Sequence, residues 1–344
     1  MQVQHEIKKK MDDKKKFVYE KMRDNQINQS KLCYALEINY DNSMILVGEE
    51  SAIKVYTFNS NKMKFLQLLQ SHQYEVLTLN YFPNKSQFFL SGSVDSSLII
   101  WAKNLLAKPK IIQKLKEHTS TIFCVILYFN DKNLIVSGGD DSTIKFWTTK
   151  QLNLYQWFCF QTIREDTYQV LGLSINQEGS QIASCHLNYQ IFVMEQEKHS
   201  IFWLIKQKID VDMYGYHICF INNNTFVTSS DRTCNLSTYC LDSTTSNYIL
   251  IDQKQLPSSD CNDILFPTIL NYKKNLILNK NGSNINILRV LKNQQQFAQL
   301  ELEQTITFKG SENFIGTISN DGNYIITWDD KSSKIQIWSL QNNY

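Results

Sequence analysis

An all-β fold of seven four-stranded units arranged in a ring is what this sequence predicts, and three observations carry the prediction. Apolar residues alternate at period 2 through most of the chain, as in VLTLNYF, IFCVILYF and VLGLSIN. Helical periodicity does not appear outside the N-terminus. One segment is said twice: FFLSGSVDSSLIIW at 88–101 returns 46 residues later as LIVSGGDDSTIKFW at 134–147. Asn, Asp and Ser sit between the apolar runs (NDKN, NNNT, NDGN, NKNG), supplying turns that 11 Gly and 4 Pro are too few to make.

The doubled segment belongs to a longer series. Taking the end of its alternating run as a marker, the equivalent positions are Tyr56 (AIKVY), Trp101 (SLIIW), Trp147 (TIKFW), Val193 (YQIFV), Ser237 (CNLS), Leu288 (INIL) and Trp338 (KIQIW). Their spacings of 45, 46, 46, 44, 51 and 50 residues lie near the roughly 40–45-residue period of a four-stranded propeller blade. Each unit opens with an apolar strand and turns into a second (FFLSGS, LIVSGG, QIASC, TFVTSS, YIITW). A tight turn then leads to the marked third strand, and a looser fourth follows, such as KFLQLLQ or YQWFCFQTI. The blades fall at approximately 30–72, 73–118, 119–165, 166–210, 211–256, 257–308 and 309–344. The seventh has no fourth strand after SKIQIWSLQNNY, so residues 17–24, with the apolar-aromatic Phe17–Tyr19, are expected to supply it and close the ring. Residues 1–16, with KKKMDDKKK, read as a basic solvated tail.

Composition narrows the function. The 344 residues carry 35 Lys+Arg against 33 Asp+Glu, a net charge of +2, which implies no dominant nucleic-acid surface. None of the 8 Cys forms a CxxC pair, and several lie in apolar strand-like runs (IFCVIL, HICFI), as buried thiols do. No run approaches a membrane span. The expected setting is reduced, intracellular and soluble: the cytoplasm, with the nucleus open to it.

Two units carry a spaced polar set: His72, Ser91, Asp95, Trp101 and His118, Ser137, Asp141, Trp147. In both, His to Asp is 23 residues and Asp to Trp is 6. These residues resemble the WD-repeat β-propeller family over about residues 15 to 344, although the Gly before each His and the Asp after each Trp are absent. The resemblance implies a buried chain from indole to hydroxyl to imidazole to carboxylate that ties a blade together. A catalytic triad would also need an exposed nucleophile and an oxyanion hole, and the sequence points to neither. In the fourth unit Leu187 and Val193 stand for Asp and Trp; the fifth keeps Asp231 but has Ser237 for Trp. Such blades are expected to be softer.

Within that family the chain resembles the WD-repeat component of the cytosolic iron–sulfur protein assembly machinery. YQWFCFQTI is similar to its outer-strand Trp-x-Cys pattern followed by Thr or Leu, and SDRT at 230–233 to its SDDRT turn. Where that component has an Arg before the tight-turn Asp of its third blade, this chain has Asp140. The resemblance implies a non-catalytic adaptor that joins a multi-protein complex and helps deliver clusters to cytosolic and nuclear apoproteins. It implies no cofactor, no metal, no small-molecule substrate, no membrane and no nucleic acid. Glu49, Val94, Asp140, His186 and Arg232 flank the tight turns and are the expected partner contacts on the top rim. The alternatives are a WD-repeat scaffold of a ubiquitin-ligase, trafficking or ribosome-associated complex, or an enzyme with its site in the central channel. An enzyme would need inward-facing charged or His residues, and the inner segments VLTLN, VLGLS and FIGTI are largely apolar or small.

Overall fold

The computed structural model describes residues 16–341 except 24, 60, 84–87, 103–109, 131, 150–155, 213–214, 231–234, 259–265, 293–297 and 312. Residues 1–15 of the basic tail, Asp231, Arg232, most of the SDRT turn, Cys234 and Cys261 therefore lie outside the described residues.

Seven antiparallel sheets are present, the first six built in chain order from the axis outward. Blades 1 to 6 span 33–70, 76–115, 122–163, 170–210, 215–255 and 269–307. Blade 7 takes three strands from Phe314–Ile318, Tyr324–Asp329 and Lys334–Leu340. The first strands stand side by side around the axis, and Cys33–Ile38 meets Phe314–Ile318 where the ring closes. The core is a series of apolar clusters, most of them wedged between neighbouring sheets.

Blade 7 is completed by the start of the chain. Tyr19–Lys21 pairs antiparallel with Lys334–Leu340, the Met22 N–H donates to the Ile337 carbonyl (2.9 Å), and Ile27–Asn28 resumes the pairing. The closing strand is thus split, because the polar run Arg23-Asp24-Asn25-Gln26 has no apolar face to lay on the core. Tyr19 is its anchor, with its ring buried and its hydroxyl donating to the Gly322 carbonyl (2.7 Å).

A bulge between the third and fourth strands falls at the same place in blades 1 to 6 and fixes their register. It corrects two sequence assignments. The Trp position is Met194 in blade 4, not Val193, and Tyr239 in blade 5, not Ser237. Tyr239 stacks on Phe226 at 5.1 Å as Trp101 stacks on Phe89 at 5.7 Å. Without an indole to mark the position, the end of the apolar run misplaces it by one or two residues.

The rim holds a device that the sequence reading missed. Just beyond the bulge, a fourth-strand Gln reaches the next blade and grips both backbone groups of one residue. Gln113 accepts from the Trp157 N–H (2.7 Å) and donates to its carbonyl (2.8 Å). Gln161 does the same to Trp203, Gln207 to Tyr248 and Gln304 to Tyr19. These groups point away from their own sheet, so each clasp satisfies part of an exposed edge. The gripped residue buries its aromatic ring at the blade boundary. The signal was legible as an aromatic followed four residues later by Gln, in WFCFQ and WLIKQ.

Removing the anchor should loosen the closure. Tyr19→Ala forfeits a buried ring and a buried hydrogen bond, a change of about 3–5 kcal/mol by analogy with large-to-small core substitutions. A melting temperature at least ~5 °C below wild type is expected by thermal denaturation. An unchanged value for this variant, or for a chain lacking residues 1–24, would show that the N-terminal strand does not close the ring.

Candidate functional site

The two polar sets come together as hydrogen-bonded chains. In blade 2, Trp101 Nε1 donates to Ser91 Oγ (2.9 Å), Ser91 Oγ meets His72 Nε2 (2.7 Å), and His72 Nδ1 meets Asp95 Oδ2 (2.9 Å). Blade 3 repeats this through Trp147, Ser137, His118 and Asp141 at 2.9, 2.7 and 2.8 Å. Each Asp also folds its own turn: the Ser97 N–H donates to Asp95 and the Thr143 N–H to Asp141. Burial works against the charge of both carboxylates. The bonds from His72, Ser97 and the Gln73 N–H to Asp95, and from His118, Thr143 and the Thr119 N–H to Asp141, override it and hold both pKa values below the usual range.

The order carboxylate, imidazole, hydroxyl is that of a hydrolytic triad. What differs is access. Ser91 and Ser137 are 0% exposed, and each hydroxyl is engaged by an indole N–H and an imidazole. Such closed chains rigidify the blade, linking its tight turn, its second and third strands and the incoming loop. Gly139 belongs to the same construction: a Cβ there would lie 2.2 Å from the Thr121 carbonyl oxygen, so LIVSGG can bring its turn close to the incoming loop only with glycine.

Blade 4 replaces the chain with two separate pairs of residues, since His186 Nδ1 has no hydrogen-bond partner to join them. With Met194 at the Trp position, Ser184 takes the Ser position and Asn188, not Leu187, that of Asp. The imidazole now comes from the second strand: His186 Nε2 bonds Ser184 Oγ (2.9 Å), and its ring lies 4.0 Å from that of Phe192. Asn188 Nδ2 donates to Asp166 (2.8 Å), so amide and carboxylate have exchanged sides. Blade 7 keeps only the first link, from Trp338 Nε1 to Thr327 Oγ1 (2.9 Å).

Of the expected rim contacts, two are not surface residues. His186 is 3% exposed because it fills the gap left by the missing loop histidine. Glu49 is 6% exposed, held by Gln29 Nε2 (2.6 Å) and ion-paired with Lys54. Val94 and Asp140 are half-buried, and the Asp140 carboxylate accepts from Ser120 Oγ (2.7 Å). Arg232 lies outside the described residues.

The axis holds a cavity of about 440 Å³ lined by the first strands of all seven blades. The inner segments are largely apolar, yet Glu37 of blade 1 and His217 of blade 5 also line it, in LEINY and HICFI. Burial pushes the Glu37 carboxyl up to about 8, against a lowering bond from Thr317. Burial pushes His217 down to about 3, aided by Lys280, and His186 down to about 4, against Asp166. Both imidazoles are therefore neutral at pH 7. Among the described residues, no three His, Cys, Asp or Glu side chains gather as a metal-ligand set.

These shifts set the pH response. An unfolded His takes up its proton near 6.5, so the stability due to neutral His186 is whole above that pH and is lost as pH falls toward about 4. His186→Gln should flatten the fall in melting temperature between pH 6.5 and 4. An unaltered slope would mean that folding does not shift the His186 pKa.

Comparison with known proteins follows the same lines. The model for the WD domain, G-beta repeat, matches residues 63–102 and 109–148. Each match runs from the fourth strand of one blade through the third strand of the next, and so contains one complete polar set. No curated protein matches the chain. Among solved structures, a chain of the "Crystal Structure of Mitotic Checkpoint Complex" is 13% identical, with a TM-score of 0.73 and 94% of each chain covered. Matching chains number 1639, so the likeness fixes a fold and selects no function. The chain is a seven-bladed β-propeller, and residues 63–102 and 109–148 are WD repeats within it.

Proposed function

We propose that the protein is a non-catalytic adaptor that holds other proteins of a multi-protein complex on its rim and sides. The observation that carries this reading is where its exposed apolar side chains lie. Many sit on or beside the outer strands: Phe65, Leu66 and Leu68 on blade 1, and Ile201, Phe202 and Leu204 on blade 4. Exposed apolar side chains grouped along an outer strand favour contact with another protein. The residues ordered as in a hydrolytic triad are spent inside the blades. The similar ring from the mitotic checkpoint complex is, by its title, part of an assembly.

A finer reading places the adaptor in cytosolic iron–sulfur protein assembly, in the cytoplasm and with access to the nucleus. Its support is the outer strand WFCFQTI, whose Trp157 is buried and whose Cys159 is half-buried. Asp140, where that component carries an Arg, is the departure from the pattern.

Affinity purification of the tagged protein from its own cells, followed by mass spectrometry, tests both readings. A stable set of partners that dissociates on Ile201→Glu/Leu204→Glu, or on Asp140→Arg/Arg232→Glu, is expected. Recovery of iron–sulfur targeting factors and apoproteins would support the finer reading. A different stable complex would remove that reading and leave the adaptor. A chain that elutes alone would remove both.

A further inference from the structure

The axial cavity has a side. The first-strand residue that pairs with the second-strand position just before that of Ser91 and Ser137 stands at one level of the wall. Around the ring this level reads Glu37, Asn80, Ile126, Ser174, Cys219, Ile269 and Thr317. Three consecutive blades, 7, 1 and 2, therefore contribute Thr317, Glu37 and Asn80, and all three line the cavity. Of the four other blades, two place an isoleucine at this level.

This sector holds buried polar groups whose hydrogen-bonding capacity is unfilled. Thr317 bonds Glu37 and lies on the neighbouring blade. No cation among the described residues is ion-paired with Glu37, whereas Glu49, one strand further out on the same blade, has two lysines. Asn80 Oδ1 is buried with no hydrogen-bond partner. The hydroxyl of Tyr81, close enough to Glu37 to feel its charge, is also buried and has none. A carboxyl without a cation, next to an amide oxygen without a donor and inside a mostly apolar wall, matches a group with an apolar stem and a positively charged, donor-rich head.

We propose that the Thr317–Glu37–Asn80 sector of the axial cavity is a binding site for a primary alkylammonium group. The ammonium is carried by a free small amine or by a lysine side chain, and about 440 Å³ accommodates either. The alkyl stem lies along the isoleucine and leucine side chains, and the ammonium donates to the Glu37 carboxylate, where the low dielectric strengthens the pairing.

The cavity makes the site readable through pH. The titratable residues of its lining are Tyr34, Glu37, Cys124, His217, Cys219 and Tyr272. Burial pushes both tyrosines and Cys124 up, Cys219 up to about 12 and His217 down to about 3. Tyr81, behind the wall, is also raised. Only Glu37, at about 8, changes charge between pH 6.5 and 8.5. An entering ammonium must displace the Glu37 proton, so binding tightens as pH rises through that window and releases up to one proton below it.

The test is calorimetric titration of the full chain with n-butylammonium chloride, with n-butanol as a neutral control of the same shape. Binding roughly 25-fold tighter at pH 8.5 than at 6.5, with proton release at the lower pH, is expected. Glu37→Gln should weaken it at least tenfold and abolish the pH dependence, and n-butanol should bind far more weakly. Because Glu37→Gln removes a carboxyl that the fold keeps neutral, its melting temperature at pH 7 should not fall, so lost binding cannot be laid to unfolding. A blocked Gly-Lys-Gly peptide that binds as the amine does assigns the site to a lysine side chain. Binding by the amine alone assigns it to a free small amine. No binding of n-butylammonium, equal binding of n-butanol, or affinity untouched by Glu37→Gln would overturn the proposal.

Discussion

The structure depends on how its two ends meet. Seven twisted sheets around an axis leave no gap only when the last is completed by the start of the chain, and the backbone groups of Lys334–Leu340 supply the template. Tyr19 makes the joint specific. Its backbone is held by Gln304 of blade 6, its ring enters the cluster shared by blades 6, 7 and 1, and its hydroxyl reaches the Gly322 carbonyl. Beside it the Phe17 N–H donates to Glu303, which is ion-paired to Arg289, and Arg289 lies over the Phe17 ring. Residues some 285 apart in sequence thus become neighbours. The closing strand is short, so its strength comes from these side chains more than from its ladder.

Once closure is secured, the blades are free to differ inside. Blades 2 and 3 use the full polar chain, blade 4 has two separate pairs, Ser184–His186 and Asn188–Asp166, and blade 7 keeps one link. The Gln clasps are more uniform than the chains within blades. Four bind the next blade through both backbone groups, and where blade 5 has Asp252 at that position, Lys254 donates to the Leu300 carbonyl instead. A blade can lose its internal network if apolar packing compensates. A rim that left edge amides unpaired would invite pairing with another chain.

Much of the fold was legible because repetition averages out local ambiguity. Period-2 alternation marked the strands, and Trp101, Trp147 and Trp338 set the register of blades 2, 3 and 7 without error. Register failed in blades 4 and 5, where Met194 and Tyr239 stand for Trp and only the bulge shows which residue is equivalent. The same slip hid Asn188 and made Leu187 the presumed turn residue. His186 looked like a rim residue because a position beside a tight turn is usually exposed. That its ring folds back toward Ser184 depends on the loop histidine being absent, and sequence spacing alone does not express that. The clasps were overlooked because Gln is common in this chain, and its meaning lies in a contact at least 41 residues away.

Glu37 shows the same limit from the other side. In LEINY it reads as one polar residue of an alternating strand, and polar residues of strands normally face solvent. In a propeller the first strand has no such face: it meets a neighbouring blade on each side and lines the axis between them. Closure therefore turns an ordinary acidic residue into a carboxyl held in a narrow, mostly apolar space, where the charged form is disfavoured. Packing alone would be better served by the isoleucine that blades 3 and 6 place at the same level. A residue that costs stability where its structural equivalents do not, and that stands beside an amide oxygen with no donor, points toward a site that the ring holds ready. The rigidity conferred by clasps and polar chains then keeps that site in place at the axis while the outer strands remain available to partners.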